Sequence, residues 1–109
     1  MKNECTTRNE GEMMLVTVTG EVDLSWSQQV RKQILDALGK SSVVGVELSQ
    51  VSYIDSSGIA ALVEGFQNAR GKGQKFALIA ASPSVRSVLE LARLDRVFPM
   101  VESIEAARG

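Results

Sequence analysis

From Met13 to Thr19, Met14, Val16 and Val18 alternate with Leu15, Thr17 and Thr19, a period-two pattern rich in β-branched residues. This predicts a strand that Gly20 stops. Residues 20–25, Gly-Glu-Val-Asp-Leu-Ser, read as a loop with turn chemistry ending in a helix cap at Ser25. Trp26, Val30, Ile34 and Leu38 then recur every four residues with Ala37 beside them, while Arg31, Lys32 and Asp36 point elsewhere. That spacing predicts a helix with one apolar face, ended by Gly39. Val43 to Leu48 is a short apolar run interrupted by Gly45 and Glu47, which fits a strand covered by helices.

A second helix follows from Ile59, Leu62, Val63 and Phe66, at the i, i+3, i+4, i+7 spacing, and Gly71-Lys72-Gly73 closes it. Lys75 to Ala81 reads as a buried strand. Ser82-Pro83 opens a third helix, with proline at or near its first position and Val85, Val88, Leu89 and Ala92 on one face. Leu94, Val97, Phe98 and Met100 predict a last short strand, before a helix-prone tail from Ser103 to Arg108. Residues 1–12 are polar and fit either an edge strand or a flexible arm.

Strands alternating with helices need crossovers too long for hairpins. The expected class is therefore α/β: a mainly parallel four- to five-stranded sheet with right-handed connections and about four helices. In open sheets of this kind, ligands and partners meet the loops at the carboxyl ends of strands. Two loops fall there, Gly20–Ser25 and Asp55–Gly58, and they are expected to share one surface.

Composition narrows the function classes. A chain of 109 residues, 44% hydrophobic and 23% charged, suits one soluble globular domain spanning 1–109, with no need of a metal or disulfide staple. The net charge is -1 and no basic block occurs, so nucleic-acid binding lacks its electrostatic footprint. Cys5 is the only cysteine, which excludes an intramolecular disulfide and suits a reducing compartment. The polar start from Met1 to Arg8 does not resemble a signal peptide, and Phe76–Ala81 is far shorter than the ~20 residues that span a bilayer. The expected location is the cytoplasm, without membrane insertion.

Catalysis finds little support. The sequence has no histidine, and Asp55-Ser56-Ser57-Gly58 is not the G-x-S-x-G elbow of hydrolases, which leaves only a serine–lysine pair open. Without histidine and with one cysteine, metal ligands reduce to carboxylates, and these form no recognised spacing. Gly71-Lys72-Gly73 fails the phosphate-loop pattern, since five residues separate Gly65 from Gly71 and glycine follows Lys72. It reads as a turn, and the lone Trp26 as core or near-core packing. No catalytic residue, metal or cofactor is expected.

The stretch that stands out is Val51-Ser52-Tyr53-Ile54-Asp55-Ser56-Ser57-Gly58-Ile59, where a strand pattern gives way to a helical one. Asp55, Ser56 and Ser57 are three consecutive candidate caps where one suffices, and Gly58 removes side-chain bulk beside them. The remaining hydroxyls are then available to a partner. A phosphate on one of them would meet the positive end of the helix dipole.

Val18-Thr19-Gly20-Glu21-Val22-Asp23, the Val51–Ile59 stretch, Ala81-Ser82-Pro83-Ser84-Val85 and Leu94-Asp95-Arg96-Val97-Phe98 together resemble, in order and spacing, the STAS domain of bacterial anti-sigma factor antagonists. The resemblance covers nearly the whole chain. It implies a protein that binds an anti-sigma factor serine kinase, frees the sigma factor, and is switched off by phosphorylation. The phosphoacceptor implied is Ser56, directly after the motif aspartate, with Ser57 as second choice. Asp23, Asp55, Ser56, Ser57 and Gly58 are implied as partner contacts. STAS subunits that dock on the ATPase of lipid-transporting ABC systems share these features and form the alternative.

Overall fold

In the computed structural model, which describes residues 3–108, the chain forms β1 (Glu4–Glu10), β2 (Met13–Val22), α1 (Leu24–Leu38), β3 (Val43–Ile54), α2 (Ser56–Gly71), β4 (Lys75–Ile79), α3 (Pro83–Leu91), β5 (Met100–Val101) and α4 (Ile104–Arg108). The strands lie in one sheet in the order β1-β2-β3-β4-β5. The pairs from β2 to β5 are parallel, whereas β1 runs antiparallel to β2. The α/β class and mainly parallel sheet are as expected, and the polar start is an edge strand rather than an arm. Gly11, at φ +66, makes the turn between β1 and β2. Residues 1 and 2 of the expected 1–12 segment lie outside the described residues.

Strand alternation places Val16 and Val18 in the main core with Val30, Ile34, Leu62, Val85 and Leu89, so α1, α2 and α3 cover one face of the sheet. Met13 and Leu15 point the other way, to Ile79 and the partly buried Ile104 and Ala107, beneath α4. Trp26 is half-buried and packs against the main core. At the α1–α2 contact, a Cβ on Gly65 would lie 2.6 Å from Ile34 Cγ2, so only glycine allows this approach.

Three boundaries differ from the sequence reading, each for a physical reason. β2 does not stop at Gly20; it continues to Val22 through shifts in its register with β3. Gly20, at φ +92, lets the strand pass where a Cβ would meet Asn3 Oδ1, the atom that accepts the Glu21 N–H at 2.9 Å. β3 runs past Leu48 to Ile54, because it carries one extra residue between Glu47 and Gln50 and another between Val51 and Tyr53. These bulges put Leu48, Val51 and Ile54, three residues apart, into the same core. At the first bulge the Ser49 N–H turns to Glu47 Oε1 at 2.7 Å.

The last strand is only Met100–Val101. Leu94, Val97 and Phe98 instead form a turn, with the Val97 and Phe98 amides donating to the Leu94 carbonyl at 2.9 and 3.3 Å. Phe98 is buried there against Phe66, with ring centroids 5.4 Å apart. Pro99 has no N–H to donate to a ladder, but its carbonyl accepts the Leu78 N–H at 2.9 Å, and the residues paired with β4 are Met100 and Val101.

Candidate functional site

The site lies where β2 and β3 end and α1 and α2 begin. Both helices open on an aspartate with extended backbone: Asp23 at φ -110 and ψ -173, Asp55 at φ -107 and ψ -172. Asp55 Oδ1 accepts the Ser57 N–H at 2.9 Å, the Gly58 N–H at 3.2 Å and the Ser57 hydroxyl at 2.5 Å. Asp23 Oδ1 accepts the Ser25 N–H at 3.0 Å and the Ser25 hydroxyl at 2.6 Å. The cap of α1 is therefore Asp23 and not Ser25, because the carboxylate reaches two donors of the first turn while Ser25 already has helical backbone.

The two caps are joined. The Asp55 N–H donates to the Val22 carbonyl at 3.1 Å, and the Leu24 N–H acts on the Asp55 carboxylate from the start of α1. The Asp55 carboxyl is held below its ordinary value of 3.8, above all by the Ser57 hydroxyl; desolvation opposes this, and the Gly58, Ser57 and Leu24 amides add to it. It is a charged cap at neutral pH.

The two serines differ sharply. Ser57 is half-buried, and both its N–H and its hydroxyl are committed to Asp55. Ser56, at the first position of α2, is exposed, and among the described residues its hydroxyl makes none of the hydrogen bonds that hold the cap. It stands at the positive end of the α2 dipole, where added negative charge is tolerated. Asp23, Asp55, Ser56 and Ser57 come together on one surface, as the two-loop expectation required.

Gly58 is placed beneath that surface. It is buried, and a Cβ there would lie 2.6 Å from Ile54 Cγ1 and 2.8 Å from Val22 Cγ1. It lets the first turn of α2 rest on the ends of β2 and β3, and so positions Asp55 and Ser56 from below.

Two apolar residues on this surface escaped the sequence reading. Leu24 is 73% exposed, in the first turn of α1, and Tyr53 is 48% exposed near the end of β3, in register with the exposed Glu21. The available signal was that Leu24 falls off the Trp26–Val30–Ile34 stripe, so a helix starting there cannot bury it.

The model of the STAS domain family matches residues 4–107. Among curated proteins, an anti-sigma F factor antagonist of Paenibacillus polymyxa is 25% identical over 93 residues, covering 84% of this chain and 80% of the relative. Among solved structures, an anti-sigma factor antagonist from Mycobacterium paratuberculosis superposes with a TM-score of 0.86 at 22% identity, covering 97% of this chain and 91% of that one. The phosphorylated form of SpoIIAA, a Bacillus cell fate determinant, superposes with a TM-score of 0.75 at 21% identity, covering 95% and 96%. Among the described residues, no helix is long and apolar enough to cross a membrane.

Proposed function

The chain belongs to the STAS domain family, and from that premise we propose that it is an anti-sigma factor antagonist controlled by phosphorylation of Ser56. It binds an anti-sigma factor that is also a serine kinase, releases the sigma factor, and loses its hold when that kinase modifies it. It works in the cytoplasm as a binding protein, without a cofactor or a reaction of its own. The name of its Paenibacillus relative supports the antagonist reading.

One observation carries the choice of residue: neighbouring serines have opposite environments. A kinase reaches the exposed Ser56 hydroxyl without disturbing the cap. To modify Ser57 it would first have to break the 2.5 Å bond to Asp55. Asp23, Asp55 and Ser57 frame the acceptor, Gly58 supports it from below, and Leu24 and Tyr53 add apolar contact area.

The consequence of modification follows from charge. A phosphoserine brings about -1.5 to -2 charges at neutral pH. Exposed at a helix start it is stabilised by about 0.3–1 kcal/mol, so the fold persists. A partner closing over it must desolvate the new charge beside two carboxylates, and each 1.4 kcal/mol of that cost weakens binding about tenfold.

The test uses the kinase co-purified from native cells. Ser56→Ala should bind it and take up no phosphate, Ser57→Ala should still be phosphorylated, and Ser56→Asp should bind at least about tenfold more weakly with native circular dichroism. Phosphate found on Ser57, or unchanged binding by Ser56→Asp, would overturn the assignment. Recovery of an ABC ATPase with its permease, instead of a kinase with a sigma factor, would transfer the chain to the transporter branch.

A further inference from the structure

The strand that leads into Asp55 and Ser56 outruns one of its neighbours. Pairing between β3 and β4 ends at Glu47 and Ile79, whereas β3 continues to Ile54. On its β2 side this extension is held by the ladder, by the Ser52 hydroxyl on the Gly20 carbonyl at 3.4 Å and by the Asp55 N–H on the Val22 carbonyl at 3.1 Å. On the other side no strand pairs with it among the described residues. Backbone groups on that side need partners of another kind.

One residue satisfies two of them. After β4 the chain turns at Ala80, φ +51, and brings Ser82 against β3. The Ser82 N–H donates to the Leu48 carbonyl at 3.3 Å, and its hydroxyl donates to the Val51 carbonyl at 2.6 Å. The same oxygen accepts the Val85 N–H at 3.3 Å and so caps α3. Ser82 is only 7% exposed, which keeps water from competing for these bonds. Val51 stands at the second bulge of β3, where the ladder with β2 skips Ser52, and the motif begins where this stretch ends. Ser82 is itself fixed, because Val85 and Leu89 anchor α3 in the main core.

We propose that Ser82 is a positioning residue for phosphorylation: it clamps the unpaired side of β3 and so fixes where Ser56 is presented. β2 and Ser82 hold the strand end from opposite sides. Without the hydroxyl only β2 holds it, and the start of α2 moves with the loosened strand. The kinetic part of this proposal rests on Ser56 being the acceptor; the clamp itself does not.

The test compares the full-length wild type with Ser82→Ala and Ser82→Thr, by amide NMR and by phosphorylation with the co-purified kinase. In the folded Ser82→Ala protein the amide signals of residues 52–58 should broaden while those of β1 and α4 keep their wild-type positions. Its kcat/KM for Ser56 should fall at least tenfold, since a small displacement of an acceptor is enough for such a loss. Ser82→Thr keeps donor and acceptor and should restore both readouts. Ser82→Cys, close to serine in size but a weak donor, should change both in the same direction as alanine and decides the matter if Ser82→Ala does not fold. A cap that serves stability alone leaves kcat/KM of the folded variant unchanged. That result, or broadening that spares residues 52–58, would overturn the proposal. Wild-type protein that takes up no phosphate on Ser56 would sink the phosphorylation reading, and the spectra alone would then decide the clamp.

Discussion

The Asp55 N–H donates to the Val22 carbonyl at 3.1 Å, so the residue that caps α2 is tied to the residue just before the one that caps α1. Helix starts distant in sequence become one surface through this bond and through the Leu24 amide at the Asp55 carboxylate. Asp55→Ala removes the shared acceptor. It should lower stability by about 1–2 kcal/mol in urea denaturation, more than a surface substitution and at the upper end for a lost cap.

Acid should act through the same group. The folded state holds the Asp55 carboxyl below its ordinary value of 3.8, so its contribution is complete above that pH and disappears as the pH falls through the folded value. Between about pH 5 and about pH 3, wild type should lose more stability than Asp55→Asn, measured by urea denaturation at each pH. Parallel pH profiles would show that Asp55 is not the titrating group.

The two serines should separate in stability as they do in environment. Ser57→Ala deletes a hydroxyl bonded to a carboxylate and should cost about 1 kcal/mol, given that the site is half-buried. Ser56→Ala, at an exposed position, should stay within about 0.5 kcal/mol of wild type. Thermal denaturation of both variants checks this without any partner.

Gly58→Ala sets helix propensity against space. Alanine gains up to about 1 kcal/mol inside a helix. Its Cβ, however, would press on Ile54 and Val22, whose side chains are held in the core, and overpacking costs about 1–3 kcal/mol. The net effect should be destabilising. Gly71→Ala is the control: nothing lies within 4 Å of its Cβ, so it should be neutral or stabilising.

Cys5 should be a slow thiol. Burial pushes it up to about 11 from an ordinary 9.0, which leaves about a hundredfold less thiolate at neutral pH. Its reaction with a disulfide reagent should accelerate strongly when urea unfolds the chain. Equal rates in the folded and unfolded protein would show that the side chain is not held against the core.

Much of this architecture is written in near neighbours. The alternation from Met13 to Thr19, the four-residue stripe from Trp26 to Leu38 and the Ser82-Pro83 helix start each specify an element through contacts within a few residues. The Asp55–Gly58 motif was legible for the same reason, since capping is local chemistry. Where the sequence reading stopped short, distant strands decide. Leu48, Val51 and Ile54 follow no strand period until bulges against β2 turn all three into one core.

The chain by itself determined that hydroxyls, a carboxylate and a glycine meet at a strand-to-helix junction. Only the tertiary structure decided their division of labour. Asp55 chooses Ser57 because the first turn of α2 points that hydroxyl at the carboxylate, which leaves Ser56 outward. Gly58 is buried because α2 descends onto Ile54 and Val22, and Asp23 joins the site because β2 lies beside β3. Orientation relative to a neighbouring strand is a property of packing, and no spacing along the chain encodes it.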